Sequence, residues 1–174
     1  MEGDGRNVAE VIQYAIVPAA VGSALIAQSK HGVCALLLGD DEVALRKELR
    51  TEFPQATLKE AAKELERLAS RARALVDAPS ERFDETLDLR GTDTQQRVWR
   101  ALQEVPAGAR VTYAALAKKL GVSRGERSVA GACAANCIAV AIPCHRVVLS
   151  DDALAGYRWG IERKRWLLER EASS

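Results

Sequence analysis

The sequence predicts an α/β N-terminal half, a small antiparallel sheet with helices, followed by an all-α C-terminal half that contains a helix-turn-helix. Strand-length apolar runs separated by turn residues fill the chain up to Gly39, whereas short helices with clear starts and stops follow Gly91. The polar stretch at residues 78–84 is typical of a linker. We therefore expect one subdomain over residues 1–90 and a second over residues 91–174.

Composition indicates a globular protein of the cell interior. The 174 residues are 48% hydrophobic and 28% charged, which suits one compact domain or two small ones. The four cysteines have no regular spacing, which favours reduced thiols over a secreted disulfide framework. The apolar run at residues 15–27 is too short to span a bilayer, and Pro18 and Gly22 interrupt it. It predicts two strands and a turn, and we expect no targeting or membrane-spanning segment.

The N-terminal half is predicted to contain both strands and helices. The strands cover residues 23–27 and 32–38, and a third, short one covers residues 86–89. A helix over residues 43–53 ends at Pro54, and a second amphipathic helix spans residues 58–76, with apolar residues spaced by three and four. His31 and Cys34 are residue types that bind zinc, but two candidates do not make a four-coordinate site, so we expect no metal.

The C-terminal half begins with the most clearly delimited helix. Thr92 and Gln95 have the spacing of a capping box, and Pro106 follows the apolar stripe. A short helix over residues 114–120, capped by Thr112, precedes a helix over residues 125–135, which together form a helix-turn-helix pattern. Such pairs are often only core packing. The second helix consists mostly of Ala, Gly and Ser, so its backbone could approach a nucleic acid closely.

Charge is divided unequally between the halves. Residues 91–174 carry 13 Lys and Arg against 8 Asp and Glu, whereas residues 1–90 carry 12 against 16. The C-terminal half is therefore the one suited to phosphates, although a dispersed positive charge is equally common as a solubility feature.

Cys144 and His145 form the strongest candidate for chemistry. The pair interrupts the apolar run Ile142-Pro143-Cys144-His145-Arg146-Val147-Val148. A neighbouring imidazole or guanidinium favours the reactive thiolate of a cysteine. A buried, unreactive core cysteine is the alternative, because cysteine is among the most buried residue types.

An ordered set of motifs surrounds this pair. The set comprises Val111-Thr112-Tyr113, Arg127-Ser128-Val129-Ala130-Gly131-Ala132, Asn136, Pro143-Cys144-His145-Arg146, Gly156-Tyr157-Arg158-Trp159-Gly160 and Lys164-Arg165-Trp166-Leu167-Leu168. In order and spacing it resembles the O6-alkylguanine-DNA alkyltransferases, the single-use DNA repair methyltransferases. The match is strong over residues 91–171 and fainter over residues 29–41.

The resemblance implies an RNase H-like N-terminal subdomain and a winged-helix-like C-terminal one. It implies suicidal transfer of the alkyl group from O6-alkylguanine in double-stranded DNA to Cys144, with O4-alkylthymine left open as a second substrate. The protein would act as a monomer from the minor groove on a flipped base, without a cofactor. It would be cytoplasmic in a bacterium and nuclear in a eukaryote.

The resemblance also assigns roles residue by residue. Arg127 would fill the stack that the flipped base leaves, Tyr113 would contact phosphate and guanine, and Asn136 would brace the turn before the active-site loop. Val147 and Arg158 would contact guanine through their backbones, so the Arg158 side chain would be free to vary. The remaining DNA-binding positions are Thr94, Thr112 and Ala130.

For the chemistry, the resemblance makes His145 the base, acting through a water, and Glu171 the carboxylate that orients it. Trp166-Leu167-Leu168 could anchor the last helix and keep Glu171 near the active-site loop. A docked carboxylate would favour protonated His145, and that charge would favour the Cys144 thiolate.

Three features depart from the family pattern. Glu126 puts an acid beside Arg127, Asp151-Asp152 makes a neighbouring loop acidic, and Cys137 is predicted to add a second thiol near the site. Two other functional classes stay open at this point. One is an alkyltransferase-like protein that binds lesions without transfer, and the other is a helix-turn-helix regulator.

Overall fold

Four strands of the N-terminal half form one mixed sheet. The structure, a computed structural model, describes residues 9–173. Strands β1 (Val11–Ala19), β2 (Gly22–Ser29) and β3 (Gly32–Gly39) are antiparallel neighbours, and β4 (Thr57–Glu60) lies parallel to β1, in the order β3-β2-β1-β4. The predicted strands and the turn within residues 15–27 are confirmed. The prediction of a purely antiparallel sheet is wrong because β4 pairs in parallel.

The predicted single helix over residues 58–76 is also wrong. Its first residues form β4. The Thr57 amide donates to the Glu10 carbonyl at 2.7 Å and the Ala61 amide donates to the Tyr14 carbonyl at 2.8 Å, and these hydrogen bonds hold the segment beside β1. The free edge of β1 offers these residues a ladder, which outweighs their helical spacing. The helix α2 covers only Glu66–Asp77.

Two helices cover the sheet. Helix α1 (Glu42–Glu52) confirms the predicted helix and starts at Asp41, whose carboxylate accepts from the Val43 amide at 2.9 Å. Helix α2 packs on β1 and β2, and α1 packs on β3. Their buried residues, among them Leu45, Leu49 and Ala72, complete the core of this half. No helix within residues 9–173 is long and apolar enough to cross a bilayer.

The C-terminal half contains four helices and a short strand pair within the described chain. The helices are α3 (Asp93–Gln103), α4 (Tyr113–Leu120), α5 (Glu126–Ala135) and α6 (Ile161–Ala172). The Thr92/Gln95 capping box and the Thr112 cap are confirmed. The all-α prediction is wrong in one respect, because β5 (Val111–Thr112) pairs in parallel with β6 (Val147–Val148). Two-residue strands have too little pattern to be detected in a sequence.

The outer edge of β3 joins the two halves. Leu36 exchanges backbone hydrogen bonds with Cys137 and Ala139, at 2.9 and 2.8 Å. Val33 does the same with Thr86 and Asp88, both at 2.8 Å, so the predicted strand over residues 86–89 is only a single bridge at Leu87. The segment that follows α5 is thereby fixed on the N-terminal sheet, next to the turn that carries Cys144.

Candidate active site

Two tight turns present the thiol of Cys144. Pro143 has φ −81° and ψ 60°, an inverse γ-turn in which the Cys144 amide donates to the Ile142 carbonyl at 2.8 Å. Proline suits this conformation because its ring fixes φ. A single 3₁₀ turn, Cys144–Arg146, follows and leads into β6. Cys144 is only 3% exposed, and it lines a cavity of about 720 Å³.

Asn136 connects the end of α5 to this turn. Its Nδ2 donates to the Ile142 carbonyl at 3.1 Å and contacts the Cys144 sulfur at 3.2 Å, while its Oδ1 accepts from the Ile138 amide at 2.8 Å. The side chain is fully buried. The side-chain amide of Asn136 thus contacts both sides of the turn and the Cys144 sulfur, which agrees with the bracing role expected for Asn136.

His145 and Glu171 form a buried pair at the next residue. His145 Nε2 lies 2.6 Å from Oε1 of Glu171. A carboxylate only accepts hydrogen bonds, so Nε2 carries the proton and Nδ1 is left as the basic nitrogen. Nδ1 is buried and has no hydrogen-bond partner within residues 9–173. Leu167 and Leu168 are buried too, so α6 docks as the sequence predicted.

Arg146 completes this cluster, and sequence reasoning missed its role. Its Nε and Nη2 donate to Glu171 at 3.0 and 2.7 Å. Its remaining donors reach the carbonyls of Val105 at 2.6 Å and Pro79 at 3.4 Å. Arg146 therefore ties the active-site turn to α6, to the end of α3 and to the linker. The available signal was its place in an otherwise apolar run, where an arginine needs a buried partner.

The protonation states differ from the sequence-based expectation. Burial lowers the pKa of His145, although Glu171 opposes that shift, so the resting imidazole is neutral. Burial likewise raises the pKa of Cys144 despite the Asn136 contact, so the resting sulfur is a thiol. Burial would raise the pKa of Glu171, but hydrogen bonds from His145 and Arg146 hold it at about 2. Glu171 does favour protonated His145 as the sequence led us to expect, but burial outweighs it and favours the neutral imidazole and the thiol in the resting protein.

The cavity beside Cys144 brings together most of the predicted binding residues. It is lined by Tyr113, Arg127, Ala130 and Arg158 together with Cys133, Tyr157 and six further residues. Arg127 is exposed at the start of α5, and Tyr113 is half-buried. Burial raises the pKa of Tyr113 to about 12, so its hydroxyl keeps its proton and can donate. The cavity brings the Cys144 nucleophile together with the Tyr113 and Arg127 donors.

Three predicted binding residues lie outside this cavity. Thr94 is half-buried in the first turn of α3, and the hydroxyl of Thr112 accepts from the Ala115 amide at 3.0 Å as the α4 cap. Val147 is fully buried and pairs with Val111 across β5 and β6. The side chains of Thr112 and Val147 serve local structure, and contact with DNA stays a prediction for all three residues.

Comparison with known proteins agrees with the geometry. Residues 93–173 match the family model described as 6-O-methylguanine DNA methyltransferase, DNA binding domain. The chain is 35% identical over 170 residues to a methylated-DNA--protein-cysteine methyltransferase of Candida albicans, covering 92% of this chain and 96% of that protein. The chain belongs to the 6-O-methylguanine DNA methyltransferase family.

Other members of this family are similar over nearly the whole chain. The bifunctional transcriptional activator/DNA repair enzyme Ada of Escherichia coli is 43% identical over 170 residues, which are 98% of this chain and 48% of that protein. The chain thus spans about half the length of this relative. The crystal structure of Mycobacterium tuberculosis OGT in complex with DNA has a TM-score of 0.72 and 33% identity, covering 92% of this chain and 93% of that one.

Lys164 is a further buried residue close to the cavity beside Cys144, and the sequence analysis gave it no role. It is 0% exposed, with Nζ 3.5 Å from the Gly156 carbonyl and 5.9 Å from the centre of the Tyr113 ring. Burial lowers its pKa, and its charge in turn lowers the pKa of the Cys144 thiol. The available signal was helical phase: Lys164 lies three and four residues before Leu167 and Leu168, on the buried stripe.

Two expectations about neighbouring side chains are wrong. Arg158 is not free to vary: it donates to Glu48 at 3.2 Å and to the Asn136 carbonyl at 2.9 Å, and it pairs with Glu52. Cys137 does not add a thiol to the cavity beside Cys144. Its sulfur donates to the Cys34 carbonyl at 3.3 Å and lines a separate cleft, so the second thiol of the cavity is Cys133.

The acidic departures have specific surroundings. Glu126 lines the cavity beside Arg127, where it adds negative charge to the rim. Asp152 pairs with Arg110 at 3.1 Å on the surface, which offsets part of the charge of that loop. Of these acids, Glu126 is thus the one that lines the cavity.

Proposed function

We propose that this chain repairs DNA by direct reversal, moving the alkyl group of O6-alkylguanine to Cys144 in one stoichiometric step. The observation that carries the proposal is the Cys144 thiol at the wall of the 720 Å³ cavity, with Asn136 on its sulfur and the buried His145–Glu171 pair beside it. Membership of the methyltransferase family supports the same activity.

The chemistry is a displacement at carbon. His145 Nδ1 receives the thiol proton, through a water as the family resemblance implies, and the sulfur attacks the alkyl carbon. The bond from that carbon to O6 breaks, and guanine leaves with the electron pair and is then protonated. The Tyr113 hydroxyl is suited to donate to the departing base. The thioether that forms is stable, so each molecule acts once and needs no cofactor.

We infer that the partner is double-stranded DNA, bound through its minor groove with the damaged base flipped into the cavity. The exposed face of α5 supports this, because Ala130, Gly131 and Ala134 leave its backbone accessible to a closely approaching strand. Arg127 at the start of that helix is suited to fill the vacated stack. Thr94, Thr112, Val147 and the Arg158 backbone are proposed as further contacts.

The finer fold assignments are proposals as well. The order β3-β2-β1-β4, with β4 parallel to β1, supports an RNase H-like sheet, and the β5–β6 pair beside α4 and α5 supports a winged-helix-like C-terminal half. We further propose a monomer that acts where the DNA is, in a bacterial cytoplasm or a nucleus. Sedimentation of the free protein and of its DNA complex tests the monomer.

Intact-protein mass spectrometry after incubation with an O6-methylguanine duplex distinguishes the candidate functions. Transfer predicts a shift of one methyl group together with restored guanine in the DNA. A lesion-binding protein would bind the modified duplex more tightly than the unmodified one without a mass shift. A helix-turn-helix regulator would show neither the mass shift nor a preference for the lesion.

A further inference from the structure

The cavity beside Cys144 contains a second thiol with no role in the proposed repair reaction. Cys133 is half-buried in α5 and lines the same cavity as Cys144. It lies one helical turn before Asn136, whose backbone amide donates to the Cys133 carbonyl at 3.3 Å. The side chain of Asn136 in turn contacts the Cys144 sulfur at 3.2 Å. Cys133 is therefore one turn away from the residue that touches the acceptor sulfur.

The two thiols also share an electrostatic environment. Burial raises the pKa of Cys133, and the neighbouring Cys144 raises it further while Lys164 opposes the shift. Burial is likewise the main cause that raises the pKa of Cys144, and Lys164 opposes it there too. Both sulfurs thus line one cavity and are influenced by the charge of Lys164, and in the resting protein both are thiols.

The other two cysteines lie elsewhere and provide matched controls. Cys34 is buried in β3, and Cys137 donates its thiol hydrogen to the Cys34 carbonyl at 3.3 Å. Cys137 opens on a different cleft, which Glu52 and Arg90 also line. Within residues 9–173, Cys133 and Cys144 are the two thiols that line the cavity beside Cys144.

We propose that Cys133 and Cys144 form a two-thiol binding site for trivalent organic arsenicals, and that occupation of this site blocks alkyl transfer. In the reaction of an arsine oxide, R–As=O, each sulfur forms one bond to arsenic while the arsenic–oxygen bond breaks. Both thiol protons leave with that oxygen as one water, and no atom is oxidised or reduced. Soft thiolate ligands suit such a centre. The organic group has room in the cavity against Leu149, Ala155 and Tyr157.

The binding part of the proposal is independent of repair, whereas the blocking part rests on the proposed function. Phenylarsine oxide is mixed with the full folded chain, and adducts are counted by intact mass under non-denaturing conditions. One phenylarsenic group per chain, with loss of one water, is expected for the wild type and for Cys34→Ser and Cys137→Ser. Cys133→Ser and Cys133→Ala are expected to bind at least about tenfold more weakly, since the second, intramolecular bond is lost.

Repair of methylated duplex gives the second readout. We expect stoichiometric phenylarsine oxide to abolish wild-type repair, and a dithiol, but not an equal amount of monothiol, to restore it. Repair by Cys133→Ser, compared with and without the arsenical, should resist inhibition. Equal binding by wild type and Cys133→Ser, an adduct that depends on Cys34 or Cys137, or no adduct would overturn the proposal. If the untreated wild type does not repair DNA, the proposed function fails while the mass experiment still decides the binding site.

Discussion

His145 and Glu171 lie 26 positions apart in the chain, and they meet through a 2.6 Å contact between two side chains with no solvent exposure. Arg146 donates to the same carboxylate through Nε and Nη2. Glu171 is therefore held ionised, with a pKa of about 2, and it fixes the imidazole with Nδ1 as the basic nitrogen.

Glu171→Gln is expected to slow alkyl transfer by about 10²-fold, in the range that a positioned base contributes. Glu171 raises the pKa of His145, so its removal lowers that pKa further and weakens the base. The acid limb of the rate profile should then move to lower pH. Single-turnover repair rates measured across pH test this, with the exposed Glu169→Gln on the same helix as control. Coincident profiles for wild type and Glu171→Gln would reduce Glu171 to a structural carboxylate.

Lys164→Met should make the Cys144 thiol harder to ionise. Lys164 lowers the pKa of Cys144, so removal of its charge raises that pKa and leaves less thiolate at any given pH. We expect iodoacetamide alkylation of Cys144 to require higher pH in the variant, and repair to slow with it. The neighbouring exposed Arg165→Met is the matched control. An unchanged alkylation profile in a folded Lys164→Met protein would contradict the electrostatic role.

The ion pairs of Arg158 with Glu48 and Glu52 are expected to hold the loop that precedes α6 on helix α1 of the N-terminal half. Glu48→Gln with Glu52→Gln removes both carboxylates from a largely buried guanidinium, and the free energy of unfolding should fall by about 1–3 kcal/mol. Because Arg158 also donates to the Asn136 carbonyl at 2.9 Å, repair should slow in parallel. Urea unfolding and repair of the same samples check both effects. Glu42→Gln, from an exposed 3.5 Å pair with Arg46, is the control that should change neither.

Arg127→Ala is expected to separate duplex repair from reaction with a free base. Flipping a base costs ~a few kcal/mol, so loss of the residue that compensates for it should slow repair of duplex DNA by about 10²-fold. A free O6-alkylguanine base needs no flipping and should react at nearly the wild-type rate. The measurement is the ratio of the two rates. Equal losses on both substrates would argue against a role for Arg127 in the stack.

Much of this architecture follows from local sequence signals. The capping box at Thr92, the Thr112 cap and the apolar run around Cys144 each depend on a few adjacent residues, and the structure contains all three elements. The sequence analysis missed strand β4 because its residues continue the helical spacing of the helix that follows. Its pairing with β1 depends on residues about 45 positions away, and no local pattern records such a separation.

The chemistry of the site was less accessible than its residues. The motifs identify Cys144, His145 and Asn136, but the neutral imidazole and the thiol result from burial, which depends on the packing of α6. Lys164 and Arg146 belong to the quoted motifs but were assigned no role, because charged residues are usually exposed. Both are buried by contacts with residues that lie far from them in the chain.

The acceptor itself is tested most directly by counting and locating the transferred methyl group. Protein is titrated with excess O6-methylguanine duplex, and digested samples are analysed by tandem mass spectrometry. We expect one methyl per chain at completion, on the sulfur of Cys144, with no transfer by Cys144→Ala and unchanged transfer by Cys137→Ser. Methyl on Cys133 or Cys137, or more than one lesion repaired per chain, would contradict the single-use Cys144 acceptor.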